Sequence, residues 1–264
     1  MTQSERIDYL TDYLLKEQNR FKQIDFSDDE DSRKRLLRSL MNIRMPAEAD
    51  KDFLQIQNDY LKTETAQKGI TDLDDLKPVK DNIYLWKGDI TTLRCDAIVN
   101  AANSAMLGCF VPGHNCIDNC IHTFAGVQLR QECYLKMQEL RKQYGEDYEQ
   151  PIAVPMLTEG YNLPARKVIH VVGPIVKGKL TAAHEELLSL CYRSCLELVK
   201  DNDLKSIAFC CISTGVFMFP QRRAAQIAVQ TVKDYFEHNK NKIKAVFNVF
   251  NDTDLKFYTE LLSD

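Results

Sequence analysis

Apolar residues recur at helical spacing through the first 75 residues of the chain, as in Ile7, Leu10 and Leu14. Residues three and four positions apart share one face of an α-helix, so this spacing predicts two or three amphipathic helices. The acidic run SDDEDS at 27–32 favours a helix start, and we expect Pro46 to end that helix or to begin the next one. We interpret residues 1–75 as a helical extension packed on the rest of the chain, with a separate partner-binding module as the alternative.

After residue 75 the pattern changes to short apolar runs that alternate with longer stretches of helical periodicity. The short runs predict strands at 83–86, 96–100, 152–157, 167–172, 206–212 and 244–250. The longer stretches predict helices near 117–143, 180–202, 220–239 and 252–263. This alternation is typical of an α/β domain, which we place at residues 76–264. Because the segment 157–167 is too short for a crossover helix, we expect part of the sheet to be antiparallel.

The composition narrows the class of protein. The chain has 264 residues, of which 44% are hydrophobic and 27% charged, and its formal net charge of −4 gives no general basis for binding nucleic acid. We expect a cytoplasmic protein without membrane contact, since we find neither a leader-like N-terminus nor a stretch of about 20 apolar residues. Nine cysteines, an odd number, indicate reduced thiols rather than a disulfide framework.

Two loops follow predicted strands, which is where α/β proteins bind ligands. In ISTGVFMFP the residues Ser213, Thr214 and Gly215 offer successive backbone N–H groups and two hydroxyls, which can surround an anion; a simple turn is the alternative. In NAANSAMLG two alanines separate Asn100 from Asn103. Small residues let a ligand approach while the amides reach its hydroxyl groups, although such amides can equally cap the loop.

Asp89, in the sequence GDIT, follows another predicted strand. Its carboxylate can accept a hydrogen bond from an exocyclic amine such as that of adenine, or it can act as an ordinary N-cap or turn residue. A further segment, LGCFVPGHNCIDNCIH at 107–122, holds three cysteines and two histidines. This density raises three interpretations: a metal site, reactive thiols or core packing. The separate residues Cys133, Cys191, Cys195, Cys210 and Cys211 have apolar neighbours on predicted helices and strands, and we interpret them as core.

Five motifs, in this order, resemble the macrodomain family: GDIT (88–91), DAIVNAAN (96–103), CIDNCIHTFAG (116–126), TEGYNLPARKVIHVVGP (158–174) and ISTGVF (212–217). The resemblance implies a three-layer α/β/α domain with a mixed central sheet, which binds ADP-ribose and in many members hydrolyses it from proteins. It places the adenine at Asp89 and Ile90, with Phe250 a weaker candidate for the adenine face. It places the pyrophosphate at Ser213, Thr214, Gly215 and Val216, and the distal ribose at Phe217 and Asn103.

Where typical hydrolytic macrodomains carry a glycine-rich stretch before a sequence like VDGAIH, this chain has GCFVPGHNCIDNCIH. Asp118 and His122 match the aspartate and histidine of that sequence. The Gly-Cys-x4-His-x-Cys pattern resembles a zinc-dependent bacterial and fungal branch, which implies one Zn²⁺ per chain with the ligands Cys109, His114 and Cys116.

Three protein ligands with an open fourth position is the arrangement of catalytic zinc. We expect Pro112-Gly113 to provide the turn that brings His114 back towards Cys109, and Cys116 to begin the next helix. Cys120, one helical turn further on, is the alternative fourth ligand of a closed structural site. We otherwise assign Cys120 and His122 to packing and support.

The resemblance therefore implies a zinc-dependent hydrolase that removes mono-ADP-ribose from protein side chains, with aspartate or glutamate linkages favoured. Asn103 would hold the ribose, and Asp118 would orient or deprotonate a water or a ribose hydroxyl, or else anchor His114. An ADP-ribose reader without hydrolysis and a zinc-stapled interaction protein are the alternatives. As partners, the resemblance implies a mono-ADP-ribosylated protein, a sirtuin-type ADP-ribosyltransferase and a lipoylated carrier protein.

Overall fold

The computed structural model describes residues 1–18, 29–239 and 243–263 of the chain. The N-terminal extension consists of α1 (Gln3–Glu17), α2 (Glu30–Ile43) and α3 (Lys51–Lys68), which confirms the prediction of helices there. Each helix begins at a side chain that accepts a hydrogen bond from its first turn, namely Thr2, Asp29 and Asp50. These caps satisfy backbone N–H groups that have no acceptor within the helix.

The connection between α2 and α3 differs from the expectation. Residues 27 and 28 of the acidic run lie outside the described part of the chain, and α2 starts directly after Asp29. Pro46 neither ends α2 nor begins α3, because it lies in the connection between them. Arg44 adopts an extended conformation, with φ −62° and ψ 124°, and so ends α2 two residues before the proline.

The central sheet is mixed, as predicted. The strands described are β1 (Thr71–Asp72), β2 (Ile83–Lys87), β3 (Leu93–Arg94), β4 (Ala97–Ala102), β5 (Met156–Glu159), β6 (Lys167–Val172), β7 (Ser206–Phe209) and β8 (Lys244–Val249). Six of them form one sheet in the order β2-β8-β7-β4-β6-β5, while β1 pairs with β3. Every neighbouring pair in the large sheet is parallel except β5 with β6. The short segment between those two strands therefore forces the antiparallel pairing that its length predicts.

Helices flank this sheet and complete the three-layer α/β/α architecture. Their bounds are α4 (Ile117–Ala125), α5 (Val127–Tyr144), α6 (Ala182–Asp201), α7 (Gln221–His238) and α8 (Asp252–Ser263). α4 packs on α5, and α7 packs on both α6 and α8. Within the described residues, no helix combines the length and the apolar character that crossing a membrane requires.

The helix predicted near 117–143 is in fact two helices. Gly126, at φ 96°, separates α4 from α5, and a Cβ atom there would come within 2.8 Å of the side chains of Gln57 and Gln128. Helical periodicity continues across this position, so the break is not visible in the pattern of apolar residues. Glycine is required because the backbone is left-handed and a helix of the extension lies against it.

The largest errors in the predicted strand boundaries are at the start of β5 and the end of β7. β5 starts at Met156 rather than at residue 152, and Ile152 makes only an isolated bridge to Val172. β7 ends at Phe209, so Cys210 and Cys211 follow the strand instead of belonging to it. Burial still supports the interpretation of the separate cysteines as core, except that Cys211 is only partly buried. A run of apolar residues predicts which residues are buried, but it does not predict where the hydrogen bonds between strands end.

Two clusters of buried apolar side chains divide the interior. The larger surrounds the sheet, whereas the smaller lies in the extension and includes Ile7, Leu37 and Phe53. Val127 of α5 belongs to the smaller cluster, and Phe124 of α4 packs against both. The extension therefore meets the α/β unit at α4 and α5. The division of the chain into domains at residue 75 stays a prediction.

Candidate active site and metal site

The carboxyl ends of four adjacent parallel strands lie at one edge of the sheet. These strands are β2, β8, β7 and β4, and they lead into the loops that carry Asp89, Phe250, the ISTGVF sequence and Asn103. This edge is the position at which open α/β sheets bind ligands. The structure thus brings to one edge the loops that the sequence places far apart.

Asp118, in the first turn of α4, is held by two amides from the end of β4. Asn100 Nδ2 donates to Asp118 Oδ1 at 2.8 Å, and Asn103 Nδ2 donates to Asp118 Oδ2 at 3.3 Å. Asn103 Nδ2 also donates to the carbonyl oxygen of Gly108, at 3.2 Å. Both carboxylate oxygens are therefore fixed in direction. Asn100 is fully buried, its Nδ2 binds protein groups, and its Oδ1 has no partner among the described residues, so a direct contact of Asn100 with a ligand stays a prediction.

Burial raises the pKa of Asp118 to about 6, although the amides of Asn100 and Asn103 and the charge of Arg130 favour the carboxylate. His122 Nε2 lies 3.6 Å from Asp118 Oδ1. Burial, together with the neighbouring His170 and Arg130, holds the pKa of His122 well below its usual value, so this imidazole is neutral. Asp118 is thus largely ionised at neutral pH although it is almost fully buried.

His170, on β6, completes this network, and we did not single it out from the sequence. Its Nδ1 lies 3.0 Å from Asn100 Nδ2, and its Nε2 lies 3.0 Å from Thr158 Oγ1. The Asn100 amide therefore bridges Asp118 and His170, which makes Nδ1 the acceptor and Nε2 the protonated nitrogen. The available signal was the one polar residue within the apolar run VIHVV at 168–172.

A second set of possible metal ligands surrounds His170. The donor atoms of His122, Cys133 and His170 lie within 4.8 Å of one another, and all three residues are buried. Both ring nitrogens of His170 already take part in hydrogen bonds, to Asn100 and Thr158. Burial lowers the pKa of His170 to about 3, so this group is a neutral, packed cluster.

The cysteine–histidine loop brings three potential ligands together. The donor atoms of Cys109, His114 and Cys116 lie within 4.8 Å of one another, and Cys109 Sγ is 3.7 Å from His114 Nδ1. Tetrahedral zinc with ordinary Zn–S and Zn–N bonds separates such a pair by about 3.6 Å. Burial raises the pKa of Cys116 to about 12, so a bound cation has to displace the thiol proton. The donor set and its spacing fit a zinc ion.

The local backbone explains how the loop closes. The N–H of His114 donates to the carbonyl oxygen of Val111 at 3.2 Å, across Pro112 and Gly113, which confirms the predicted turn. Gly113 has φ 64°, a conformation that glycine adopts without strain. Cys116 is the N-cap of α4, as expected, and its Sγ accepts a hydrogen bond from the N–H of Asn119 at 3.4 Å.

Cys120 lies outside the group of three ligand atoms. Its Sγ accepts a hydrogen bond from Arg38 Nη2 at 3.7 Å. Burial raises the pKa of Cys120, with the nearby charge of Arg38 acting in the opposite sense. This environment favours the interpretation of Cys120 as a packed thiol over that of a fourth ligand.

The loop after β7 presents its backbone towards solvent. Ser213 is buried in a left-handed conformation with φ 64°, and Thr214 Oγ1 donates to the carbonyl oxygen of Cys211 at 2.9 Å. In the described part of the chain, the N–H groups of Gly215, Val216 and Phe217 donate to no protein acceptor. Val216 is 72% exposed. Successive free N–H groups of this kind suit an anion.

Gly173 directly follows β6 and leaves space for the loop after β7. A Cβ atom on Gly173 would lie 2.1 Å from the hydroxyl oxygen of Ser213 and 2.8 Å from the side chain of Ile212. The loop can keep its position only because residue 173 has no side chain.

The GDIT loop forms a short 3-10 turn over Ile90–Thr92, with Asp89 as its N-cap. Asp89 Oδ1 accepts hydrogen bonds from the N–H and the hydroxyl of Thr91, while its Oδ2 pairs with Lys68 Nζ at 3.0 Å. Burial opposes ionisation, but Thr91 and Lys68 outweigh it and lower the pKa of Asp89. Asp89 therefore acts as an N-cap, which was the alternative interpretation from the sequence. Contacts of Asp89 and Ile90 with adenine stay predictions. Phe250, just beyond β8, is 75% exposed.

Comparison with known proteins places this arrangement in a family. The model of the Macro domain matches residues 99–228, from β4 into α7. The protein named "Protein-ADP-ribose hydrolase" of Treponema medium is 52% identical over 267 residues, covering all of both chains. A protein of Fusarium oxysporum f. sp. cubense, named "Probable bifunctional ADP-ribose hydrolase/ADP-ribosyltransferase", is 42% identical over 247 residues, or 86% of this chain and 40% of that protein.

The solved structure of a Trypanosoma brucei macrodomain in complex with ADP-ribose is also similar. It superimposes with a TM-score of 0.63 at 28% identity, covering 90% of this chain and 99% of that one. The sequence identity to the Treponema medium protein extends over the whole chain, and the fold superimposes on a solved macrodomain. This chain belongs to the Macro domain family.

Proposed function

We propose that this protein is a zinc-dependent protein-ADP-ribose hydrolase that removes mono-ADP-ribose from aspartate or glutamate side chains. The observation that carries the proposal is the placement of Asp118, fixed by two amides, in the first turn of the helix that Cys116 caps. A carboxylate with raised pKa next to a set of metal ligands is typical of a hydrolytic site. The name of the Treponema medium relative supports hydrolysis of protein-ADP-ribose, which is the coarser part of this proposal.

The ligand lies along the carboxyl edge of the sheet in this proposal. The free N–H groups of Gly215, Val216 and Phe217, with Ser213 and Thr214, bind the pyrophosphate. Asp89 and Ile90 contact the adenine, Phe250 covers its face, and Phe217 and Asn103 hold the distal ribose. The ADP-ribose in the Trypanosoma brucei structure supports this choice of ligand. The pyrophosphate needs no lysine, because backbone N–H groups carry the recognition.

Hydrolysis breaks the bond between C1 of the distal ribose and the carboxylate oxygen of the modified protein, with positive charge developing at C1. A zinc ion bound by Cys109, His114 and Cys116 would supply Lewis-acid chemistry. Asp118 orients the attacking water or a ribose hydroxyl and accepts its proton, which its pKa of about 6 permits at neutral pH. Asn100 and Asn103 keep the carboxylate in one direction, and the buried surroundings limit competing water.

The partners of the enzyme form a separate part of the proposal. We propose that a sirtuin-type ADP-ribosyltransferase installs the modification and that a lipoylated carrier protein bears it. The name of the Fusarium relative, which combines hydrolase and ADP-ribosyltransferase, supports an enzymatic link between the two reactions. The carrier protein rests on the family resemblance alone.

The experiment that tests the proposal combines elemental analysis with hydrolysis of protein labelled with mono-ADP-ribose on aspartate or glutamate. We expect one zinc per chain, loss of activity after chelation and its return with Zn²⁺. Cys116→Ala should lose both metal and activity, whereas Cys120→Ala, which alters a thiol outside the ligand group, should keep both. A metal-free protein with full activity would refute the zinc dependence. Binding of ADP-ribose without turnover would indicate the reader function instead.

A further inference from the structure

The metal loop rests against helix α2 of the N-terminal extension. Arg38 Nη2 donates to the carbonyl oxygen of His114 at 2.8 Å and to Asn119 Oδ1 at 3.1 Å. One turn further along α2, Asn42 Oδ1 accepts a hydrogen bond from the N–H of Gly113 at 2.9 Å. Two residues of the extension, more than 70 positions away in the sequence, thus bind the backbone of the loop around His114.

Asn119 carries the same restraint to the other two ligands. Its Nδ2 donates to the carbonyl oxygens of Cys109 at 3.2 Å and Val111 at 3.0 Å, and its N–H donates to Cys116 Sγ at 3.4 Å. The side chain of Asn119 is fully buried, so these bonds face no competition from solvent. Arg38 holds its Oδ1 and leaves both amide hydrogens for the loop.

Asn42 closes the network from the other side. Its Nδ2 donates to Thr123 Oγ1 at 2.9 Å, and Thr123 Oγ1 donates to the carbonyl oxygen of Asn119 at 2.8 Å. Asn42 is 1% exposed and uses both its donor and its acceptor. Each of the three candidate ligands therefore has a hydrogen bond, at its backbone or its sulfur, that leads directly or through Asn119 to α2.

We propose that Arg38 and Asn42 are positioning residues for the metal, so that the N-terminal extension forms part of the metal site. The inference rests on the zinc site of the proposed function and adds a role for the extension. An irregular loop that is free to move loses conformational entropy when it binds a metal, which weakens binding. A loop already held in place avoids that loss, and removing groups that orient metal ligands typically lowers affinity by about 10–100-fold.

Arginine is suited to position 38 because its guanidinium presents several N–H donors in a fixed plane. Its Nη2 makes all three contacts, to a carbonyl oxygen, an amide oxygen and a sulfur, and the planar guanidinium fixes the direction of the two hydrogens that they share. Lysine has the same charge, but its ammonium group lies at the end of a flexible stem and has no fixed plane, so we expect it to hold these acceptors less precisely. Arg38→Lys therefore keeps the charge and changes the geometry, whereas Arg38→Ala removes both.

The test measures Zn²⁺ affinity by competition with a chromophoric chelator, and Co²⁺ absorption as a report on ligand geometry. We expect Arg38→Ala to weaken zinc binding by about 10–100-fold and to alter the Co²⁺ spectrum, with Arg38→Lys intermediate. Arg35→Ala is the matched control, because Arg35 is exposed on the same helix and bonds to Ser32. It should bind zinc like the wild type.

Folding of each variant is checked by circular dichroism of the metal-free protein. If Arg38→Ala fails to fold, Arg38→Lys, which keeps the stem and the charge, makes the same comparison with a smaller effect. Folded Arg38 variants with wild-type zinc affinity and an unchanged Co²⁺ spectrum would overturn the positioning role and leave the zinc site standing. A wild-type protein that takes up no zinc would overturn the zinc site itself.

Discussion

Asn100 and Asp118 are joined by a hydrogen bond of 2.8 Å in which the amide nitrogen of a fully buried strand residue donates to the carboxylate. The second hydrogen of the same amide is directed to His170. One side chain thus fixes both the direction of the proposed catalytic carboxylate and the tautomer of a buried imidazole.

Replacing Asn100 with leucine, which has the same branched skeleton of heavy atoms, removes a donor from a buried carboxylate. We expect Asn100→Leu to lower the free energy of unfolding by about 2–3 kcal/mol at pH 8, as the loss of a bond to a buried charge does. Hydrolysis should fall by at least about 100-fold, because the longer bond from Asn103 alone is left to orient Asp118. Urea unfolding and single-turnover hydrolysis measure the two effects.

Ser189→Ala serves as the control for that substitution. It removes a neutral hydrogen bond to Thr231, between α6 and α7. It should lower the free energy of unfolding by about 1 kcal/mol and leave hydrolysis unchanged. Equal losses of stability and activity in the two variants would show that the bond to Asp118 has no special role.

Burial of His170 makes stability depend on pH. The pKa of His170 is lowered to about 3 from 6.5, so the unfolded chain takes up a proton below pH 6.5 while the folded protein does not. The free energy of unfolding therefore falls as pH falls through this window, by about 2 kcal/mol between pH 7.5 and pH 5 from this group alone. His170→Gln should lose that part of the decrease.

His122 acts in the same sense, since burial also lowers its pKa, so the His170→Gln variant should keep some dependence on pH. Urea titrations at pH 7.5, 6 and 5 give the slopes for both proteins. Identical slopes in the wild type and the variant would mean that His170 is not buried in the neutral form.

Gly113 closes the metal loop with a left-handed backbone, φ 64°, and its N–H bonds to Asn42. A Cβ atom there meets nothing within 4 Å, so Gly113→Ala strains only the backbone, by about 1–2 kcal/mol. We expect the loop to relax away from this conformation and zinc affinity to fall by about 10-fold. Chelator competition measures the change.

Gly178→Ala matches this substitution closely. Gly178 has φ 92° and equally open surroundings, but it lies outside the metal loop. It should strain the backbone to a similar degree and leave zinc affinity unaltered. A loss of zinc affinity in both variants would point to general destabilisation rather than to the turn.

Gly173 leaves space for the loop proposed to bind pyrophosphate. In Gly173→Ala the new methyl group would overlap the Ser213 hydroxyl, so the loop has to move. We expect ADP-ribose to bind at least about 10-fold more weakly, as measured by calorimetry with the protein at a fixed zinc content.

The control for Gly173 is Gly160→Ala in the turn between β5 and β6. There the Cβ atom would lie 2.0 Å from the carbonyl oxygen of Ala165, a clash of the same size in a place without a proposed ligand contact. This variant should lose stability and keep its affinity for ADP-ribose. Unchanged affinity in Gly173→Ala would remove the ISTGVF loop from the proposed pyrophosphate site.

Local patterns in the sequence determined most of the elements and the chemistry available to them. Spacing of apolar residues located the helices of the extension and the strands, and the short segment before Lys167 required an antiparallel pair. The Pro112-Gly113 turn and the cap at Cys116 were also predictable, because turns and caps depend on a few adjacent residues. Motif order was enough to indicate the family.

Tertiary structure alone decided what surrounds those residues. The break at Gly126 follows from the approach of α3, and the bonds from Arg38 and Asn42 to the metal loop follow from the docking of α2. The bridge from Asn100 to His170 depends on the pairing of β4 with β6. Each of these contacts joins residues about 70 positions apart, and periodicity has no information over that distance because packing, not local conformation, selects the partner.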